Sequence, residues 1–390
     1  MNASTTFIQA PAGLKNVIVA DTEIGDVLGQ QGFYHYRGRN AVSVAAHYSF
    51  EQAAYLVLHG SLPEAGSEEL QDFAARLGQY RVMAPAMEAL VRSLATPSAN
   101  PLQVLRTVVS ALGVSEGMRP MYDMADQDRY EDVLRMAAVA PTVLAAAYRI
   151  AQGQEPVAAD PLLPHATDYL RMVSGTMPSQ RDARAVEQYL VTTIDHGFNA
   201  STFTARVVAS TGSDVASCIG AAIGSFLGPL HGGAPDRALQ ALDEVGDIAN
   251  TTDWVRRQIA EGRRIMGFGH AVYRTHDPRA VFLRRLAAAY EDPLVARAAA
   301  LEAAIEAALA ELKPGRQLYA NVEFYAGVVM ALAGLKPELF TPTFCVARIM
   351  GWGANVLEQA RDPKIIRPSA RYIGPAPEIA EGKGPVVTAL

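Results

Sequence analysis

Three short segments in the C-terminal half of this 390-residue chain each surround one ionisable side chain with glycine and apolar residues. They read Gly228-Pro-Leu-His231-Gly-Gly-Ala, Gly267-Phe-Gly-His270-Ala-Val-Tyr and Asn321-Val-Glu323-Phe-Tyr-Ala-Gly. Two histidines and one carboxylate are the parts needed to move protons around a carbon acid at neutral pH. Glycines beside a histidine remove side-chain bulk, so a ligand can approach both the imidazole and the backbone. The segments lie dozens of residues apart, which points to a site assembled by tertiary folding and not to a local metal loop.

Each residue carries its own chemistry and its own plainer reading. Pro235 opens a predicted helix after His231. A histidine before a helix N-terminus feels a positive potential that disfavours imidazolium. A neutral imidazole can donate to a carbonyl that is becoming an enolate; alone, the same residue is also accounted for as a helix start. His270 is followed by Arg274 and by Asp277-Pro278-Arg279. Guanidinium groups bind carboxylates in a bidentate fork, which suits an anionic ligand; a solvated surface loop is the alternative. Glu323 sits among Val322, Phe324, Tyr325 and Val328, where a carboxylate is costly to bury without a partner or a purpose. Desolvation would strengthen it as a base; otherwise it pairs with an arginine as a structural anion.

Mostly helices must position these groups. Ser49-Phe50-Glu51-Gln52 reads as a capping box opening a helix that Gly60 closes. Pro101 to Leu112 and Val133 to Ile150 carry apolar residues at helical spacing, and Ala183 to Ala209 reads as mostly helical. Thr252-Asp253 is placed to cap a helix toward Glu261. Pro293 to Leu312 is alanine-rich with alternating charge, a helix with a solvated face. Strand signals are sparse; Phe33 to Arg37, between Gly32 and Gly38, suits a short hairpin arm. Gly220 and Gly224 share one helical face, which suits a buried helix in a core or a tight helix pair at a subunit interface. Punctuation at Gly228 to Pro235 and Gly334 to Pro337 marks crossings between two domains.

The whole chain bounds the function. The net charge of −6 argues against a general binder of nucleic acid or of acidic membranes. Cys218 and Cys345 lie in apolar segments and read as reduced core residues without metal-ligand spacing. Met1 to Ala20 shows no secretory pattern, and the apolar stretch Val215 to Leu230 is too short and too broken to span a membrane. The expectation is a cytoplasmic enzyme.

Together the three segments resemble the citrate synthase family, whose patterns are Gly-Pro-Leu-His-Gly-Gly-Ala, Gly-Phe-Gly-His-x-Val-Tyr followed by Asp-Pro-Arg, and Asn-Val-Asp-Phe-Tyr-Ser-Gly. The resemblance extends over nearly the whole chain through Tyr36-Arg37-Gly38, Pro101 to Thr107, Asp195-His196 with Asn199 to Phe203, Arg348 with Gly351-Trp352, and Ile366-Arg367-Pro368. It implies an all-α, two-domain fold. The large helical domain would comprise residues 1–232 and 332–390, its tail crossing to a partner subunit, and the smaller mobile helical domain residues 233–331.

The implied activity is condensation of acetyl-CoA with oxaloacetate and water to citrate and CoA, in a homodimer that shares its sites. No cofactor is held permanently; the coenzyme A thioester is a substrate. His231 would hydrogen-bond the thioester carbonyl, Glu323 would remove the methyl proton, and His270 would polarise and protonate the ketone. His196, Arg279 and Arg348 would hold the carboxylates, with Arg367 reaching across from the other subunit. Arg274 would meet a CoA phosphate near the backbone of Ile265, Gly267 and Gly269, where the adenine should lie. A 2-methylcitrate synthase using propionyl-CoA, and a catalytically weak relative that binds CoA or dicarboxylates, are the alternatives. The chain departs from the pattern at Glu323, where the family's base is Asp, at Gly197-Phe198 for Glu-Leu, at Ala320 for a proline, and at Asn355 for His. Ala320 is expected to free the backbone for the longer glutamate.

Overall fold

The computed structural model describes residues 8–232, 235–270, 272–362 and 364–375. Gly233, Ala234 and Ala271 of the histidine segments, Met1 to Phe7, and the last fifteen residues of the expected C-terminal tail lie outside them. A small antiparallel sheet near the start is formed by β1 (Gly25–Leu28), β2 (Phe33–Tyr36) and β3 (Arg39–Asn40). Sixteen α-helices follow among the described residues: α1 (Ala41–His47), α2 (Phe50–His59), α3 (Glu68–Tyr80), α4 (Pro85–Leu94), α5 (Pro101–Ser115), α6 (Asp126–Ala151), α7 (His165–Ser174), α8 (Gln180–Thr193), α9 (Ala200–Ala209), α10 (Val215–Phe226), α11 (Pro235–Val245), α12 (Thr251–Ala260), α13 (Pro278–Ala288), α14 (Pro293–Leu312), α15 (Val322–Leu332) and α16 (Phe340–Gln359). The chain is all-α in class, as the resemblance implies.

Local chemistry sets the boundaries. Ser49 and Gln52 form the reciprocal capping box of α2, and Gly60 closes it in the left-handed conformation. Proline at the first position starts α5, α13 and α14, each behind an Asn or Asp whose side chain accepts a backbone N–H. The expected helix over 183–209 is two helices. It breaks after Thr193 and restarts where Asn199 caps α9 by accepting from the Thr202 amide at 3.1 Å. His196 sits in that break. The start of α12 also differs from expectation: the helix runs on from a 3-10 turn, Ile248–Asn250, that Asp247 caps. Thr252 and Asp253 therefore lie in its first turn, where Asp253 favours the positive helix end.

The core sits on α16 and α6. Almost every residue of α16 from Phe340 to Asn355 is buried, and the helix packs on α2, α6, α8, α9 and α10. By length and composition α6 is apolar enough to cross a membrane, yet most of that stretch is buried inside the protein. Cys218 and Cys345 are buried free thiols, as expected. Helix α10 is a core helix, as read, but Gly220 and Gly224 are not on its inward face. They are only half-buried, and a Cβ at either would meet nothing within 4 Å. The apolar face of α10, with Cys218, Ile219, Ala222 and Ile223, is the one turned inward.

Helices α11 to α15 pack chiefly on one another, α13 on α15, α11 on α15 and α12 on α14. From this group α15 reaches α8 and α16, and α13 reaches α1 and α8. The sheet is pinned to the end of α8 by two buried tyrosines: the Tyr34 hydroxyl donates to the Thr192 carbonyl at 3.0 Å and that of Tyr36 to Val191 at 2.8 Å.

At the start of α7, His165 is 1% exposed and stacks on Phe50 at 4.6 Å between centroids. Neither ring nitrogen has a partner within the protein. Burial, reinforced by the nearby Arg81 cation, holds its pKa well below the ordinary value of 6.5. The unfolded chain therefore binds a proton near pH 6.5 that the folded chain refuses. Stability is full above that pH and falls below it, by at most about 1.4 kcal/mol per pH unit for one site. The neighbouring Glu51 is buried with a raised pKa, so its own contribution runs the opposite way. Urea denaturation at pH 7.5 and 5.5 should show a smaller loss for His165→Phe than for the wild type; equal losses would show that His165 does not carry the effect.

Candidate active site

His231 lies in the turn after α10. Its Nε2 accepts from the Ser201 amide at 3.2 Å and lies 2.7 Å from the Ser201 hydroxyl oxygen. A backbone N–H can only donate, so Nε2 is the acceptor and the ring proton sits on Nδ1. The Trp352 indole donates to the same hydroxyl at 3.1 Å, which ties the histidine to the core helix α16. Burial first, then the Arg348 cation, lower the pKa of His231 to about 4. The neutral imidazole expected from the sequence is present, with burial as its main cause.

His270 is held in the opposite tautomer. Its Nδ1 accepts from the amides of Val272 at 3.0 Å and Tyr273 at 3.1 Å, so the proton is on Nε2. Arg279 Nη2, which can only donate, lies 3.4 Å from Nε2. The two shorter amide bonds at Nδ1 outweigh that single long contact in setting the tautomer, and Nε2–H beside the guanidinium then makes two donors that one acceptor oxygen can satisfy. Burial and Arg279 push the His270 pKa down to about 4. His196 is close by: its ring stands edge-on to that of His270 at 5.6 Å, and its Nε2 pairs with the Tyr273 hydroxyl at 2.9 Å. Burial, then Arg279, keeps His196 neutral as well.

Two arginines flank these rings. Arg279 is buried in a fork with Asp277, Nε to Oδ1 at 3.0 Å and Nη2 to Oδ2 at 2.8 Å. Arg348 is fully buried and donates Nε to the Thr193 carbonyl at 2.8 Å, but its Nη2 has no partner within the protein. A buried cationic N–H left without an acceptor is costly, and an anionic ligand is what would satisfy it.

Glu323 stands in the first turn of α15. The helix starts at Asn321, whose side chain accepts the Glu323 amide at 3.0 Å. Asp277 accepts the Val322 amide at 3.0 Å, so one carboxylate orients both Arg279 and the helix that carries Glu323. Burial outweighs the lowering effect of Arg279 and raises the Glu323 pKa to about 7. The reading of Glu323 as a plain ion-pair anion is not what the structure shows, since no salt bridge to it is found among the described residues.

A short ladder links this helix to the His270 segment. The Gly269 amide donates to Tyr319 at 2.8 Å, the Asn321 amide to Gly267 at 2.8 Å, and the Asn321 side chain to Gly269 at 2.9 Å. Gly267 and Gly269 adopt φ of 84° and 82°, which glycine reaches without strain. Within the ladder Ala320 bridges Phe268 and donates its amide to Glu306 Oε1 at 3.0 Å. That bond corrects the expectation about Ala320: the residue supplies an N–H that proline lacks, and its backbone is tied down, not loosened.

The three histidines, the two arginines and Glu323 line one cleft of about 1080 Å³. Its wall includes His196, His231, His270, Arg279, Glu323 and Arg348, and also Ile265, Gly267 and Gly269. Two expected site residues are placed elsewhere. Arg274 is exposed, with its guanidinium at 3.5 Å from the His270 carbonyl and 3.4 Å from that of Tyr273. Arg367 is exposed and does not line the cleft. Conversely, Arg263, Arg264, Trp254 and Phe344 line it without having been singled out. Phe344 could have been found, because it precedes Arg348 by one helical turn and shares its face; the guanidinium lies 4.8 Å from its ring centroid. Asn355, where the family often has His, donates to Asp195 at 3.3 Å behind the site.

The model of the citrate synthase C-terminal domain matches residues 13–369. A citrate synthase of Haloferax volcanii is 37% identical over 93% of this chain and 95% of its own length. A 2-methylcitrate synthase of Mycobacterium tuberculosis is also 37% identical, over 95% of this chain and 92% of its own. Among solved structures, the ternary complex of carboxymethyl coenzyme A and oxaloacetate with citrate synthase from Thermoplasma acidophilum superposes with a TM-score of 0.87. That likeness covers 94% of this chain and 97% of the other at 26% identity.

Proposed function

The chain belongs to the citrate synthase family of acyltransferases, and on that premise we propose that it condenses acetyl-CoA with oxaloacetate and water to give citrate and CoA. The observation that carries this reading is the convergence in one cleft of a carboxylate with pKa about 7 and two neutral histidines of opposite tautomer. Glu323 removes a proton from the thioester methyl group. His231, through Nδ1–H, hydrogen-bonds the thioester oxygen as it becomes an enolate; one such donor in a desolvated site contributes about 3 kcal/mol. The enolate carbon then bonds to the ketone carbon of oxaloacetate. His270 Nε2–H and Arg279 Nη2 meet the ketone oxygen, which becomes an alkoxide and takes a proton. Water finally cleaves the thioester and releases CoA.

His196, Arg279 and Arg348 hold the carboxylates, and the partnerless Nη2 of Arg348 supports that role. The backbone from Ile265 to Gly269 receives the adenine, with Arg274 close enough along the chain to meet a CoA phosphate. Residues 233–331 act as a smaller mobile domain against 1–232 and 332–390. The enzyme is a homodimer in which Arg367 completes the partner's site. Two buried thiols suit a reducing, cytoplasmic setting; recovery of the protein outside the cytoplasm on cell fractionation would overturn that placement.

Relatives of both acyl specificities match this chain equally well, so propionyl-CoA is the second substrate to weigh. One methylene in an apolar pocket changes kcat/KM by about 10–200-fold. Free-thiol release with oxaloacetate and each thioester decides between them, with acetyl-CoA expected to give the higher kcat/KM. Higher values with propionyl-CoA would make this a 2-methylcitrate synthase, and no thiol from either would overturn the condensation.

A further inference from the structure

The loop between β1 and β2 presses against the loop that follows His270, and the contact point is Gly29. A Cβ built on Gly29 would lie 2.3 Å from the Val272 carbonyl oxygen, 2.8 Å from its carbon and 2.9 Å from Val272 Cγ1. The Gly29 carbonyl in turn accepts the Arg274 amide at 3.0 Å. The peptide between Val272 and Tyr273 is therefore gripped at its oxygen. Its other polar group is the Tyr273 N–H, which donates to His270 Nδ1 at 3.1 Å. A peptide unit is planar, with C=O and N–H pointing in opposite directions. Whatever moves the oxygen rotates the N–H.

We propose that Gly29 is a positioning residue for His270: the hairpin tip sets the Val272–Tyr273 peptide plane, which keeps the imidazole proton on Nε2, facing the cleft. This inference rests on the reading of His270 as the donor to the ketone. The hairpin is a firm base for the grip. Tyr34 and Tyr36 of β2 are 1% and 0% exposed and are bonded to the end of α8. The same sheet also touches the His196 segment, because a Cβ on Gly197 would meet Val27 Cγ2 at 3.2 Å. One hairpin thus abuts the segments carrying two of the cleft histidines. Trimming Val272 cannot relieve the contact, since the nearest atoms are backbone.

The substitution to test is Gly29→Ala. The backbone of Gly29 is outside the positive-φ region, so alanine meets the carbonyl and no conformational penalty. Ordinary contact begins at 3.4 Å, and the carbonyl must retreat by about 1 Å, a displacement that costs about a hundredfold in rate when it reaches reacting groups. The expected result is a fall in kcat of about 10–100-fold with the oxaloacetate KM nearly unchanged, and ¹⁵N shifts of the His270 ring moving from the pure Nε2–H form toward mixed tautomers. His270→Gln identifies the His270 signals. Gln31→Ala, at the exposed tip, should leave rate and shifts as in the wild type.

Gly32→Ala also presses on this loop, through the Thr275 methyl at 2.8 Å and the His276 carbonyl at 3.3 Å, and adds backbone strain because Gly32 has φ of +60°. Comparing Gly32→Ala with and without Thr275→Ala cancels that strain, and the share of rate and ¹⁵N shift that Thr275→Ala restores carries the test if Gly29→Ala does not fold. Folded variants with wild-type kcat and wild-type ¹⁵N shifts would overturn the proposal. An inactive wild type with the Nε2–H signature would instead overturn the condensation reading and leave the tautomer control standing.

Discussion

Glu323→Gln should lower kcat by about a thousandfold or more, the weight of a positioned general base, while leaving oxaloacetate affinity nearly unchanged. The proposed carboxylate holders, Arg279, Arg348 and His196, are held by Asp277, the Thr193 carbonyl and the Tyr273 hydroxyl, and not by the Glu323 side chain. The step itself is isolated by exchange of the acetyl-CoA methyl protons with solvent beside a non-reacting oxaloacetate analogue, and normal exchange in the Gln variant would sink the assignment. The pH dependence gives a second mark. Glu323 must be ionised to act, and burial sets its pKa at about 7. His231 and His270 stay neutral down to about 4. The acid limb of kcat/KM should therefore fall near pH 7 and belong to the carboxylate, not to an imidazole. A carboxylate whose folded pKa is raised disfavours the folded state above that pH. The Gln variant should accordingly be at least as stable as the wild type at pH 8, which separates lost chemistry from lost folding. Glu323→Asp asks about reach. The family's Asp works one methylene shorter, whereas here Asn321 and Ala320 fix the start of α15 through the Gly267–Gly269 ladder and Glu306. With the backbone so held, Asp should sit short of the methyl group and lower the rate.

Much of this was legible in the sequence because it depended on local rules. The capping box at Ser49, proline at the starts of α5, α13 and α14, and the motif order placed most helices and six cleft side chains. The misses share a physical cause. The break at Ile194 to Asn199 interrupts a helical pattern that periodicity alone continues, because Asn199 acts as a cap and not as an interior residue. Gly220 and Gly224 have the composition of a buried face, yet which face of α10 turns inward is set by its neighbours α5, α9 and α16. The tautomers of His231 and His270 are equally invisible, since they are decided by the amides of Ser201, Val272 and Tyr273 across tertiary contacts. Asp277 read as part of an arginine-rich loop. Its carboxylate in fact joins Arg279 to the start of α15, so the proposed carboxylate holder and the proposed base share one anchor. Asp277 and Asn321, both within the motifs that resemble the family's, hold the start of α15, so the variant Glu323 stands on a frame that those motifs supply.

The second large effect concerns Arg367, which the motif comparison assigns to the site but which is exposed and lies off the cleft of its own chain. Its segment is tethered where the Ile366 amide donates to the Ser210 hydroxyl at 3.0 Å, next to the end of α9. Beyond it Tyr372 and Ile373 stand 73% and 89% exposed, apolar surface of the kind a subunit contact would cover. If Arg367 serves the other subunit, Arg367→Ala removes a charge-assisted carboxylate contact and should reduce activity at least a hundredfold. His270→Ala should do the same from within the chain. A mixed dimer of the two variants then holds one site with both lesions and one with neither. By the two-fold symmetry of such a dimer, random reassortment should restore about a quarter of wild-type activity. An arginine acting within its own chain predicts the opposite, because every site in the mixed dimer would carry one lesion. Mixed dimers verified by native mass spectrometry that recover no activity would refute the shared site.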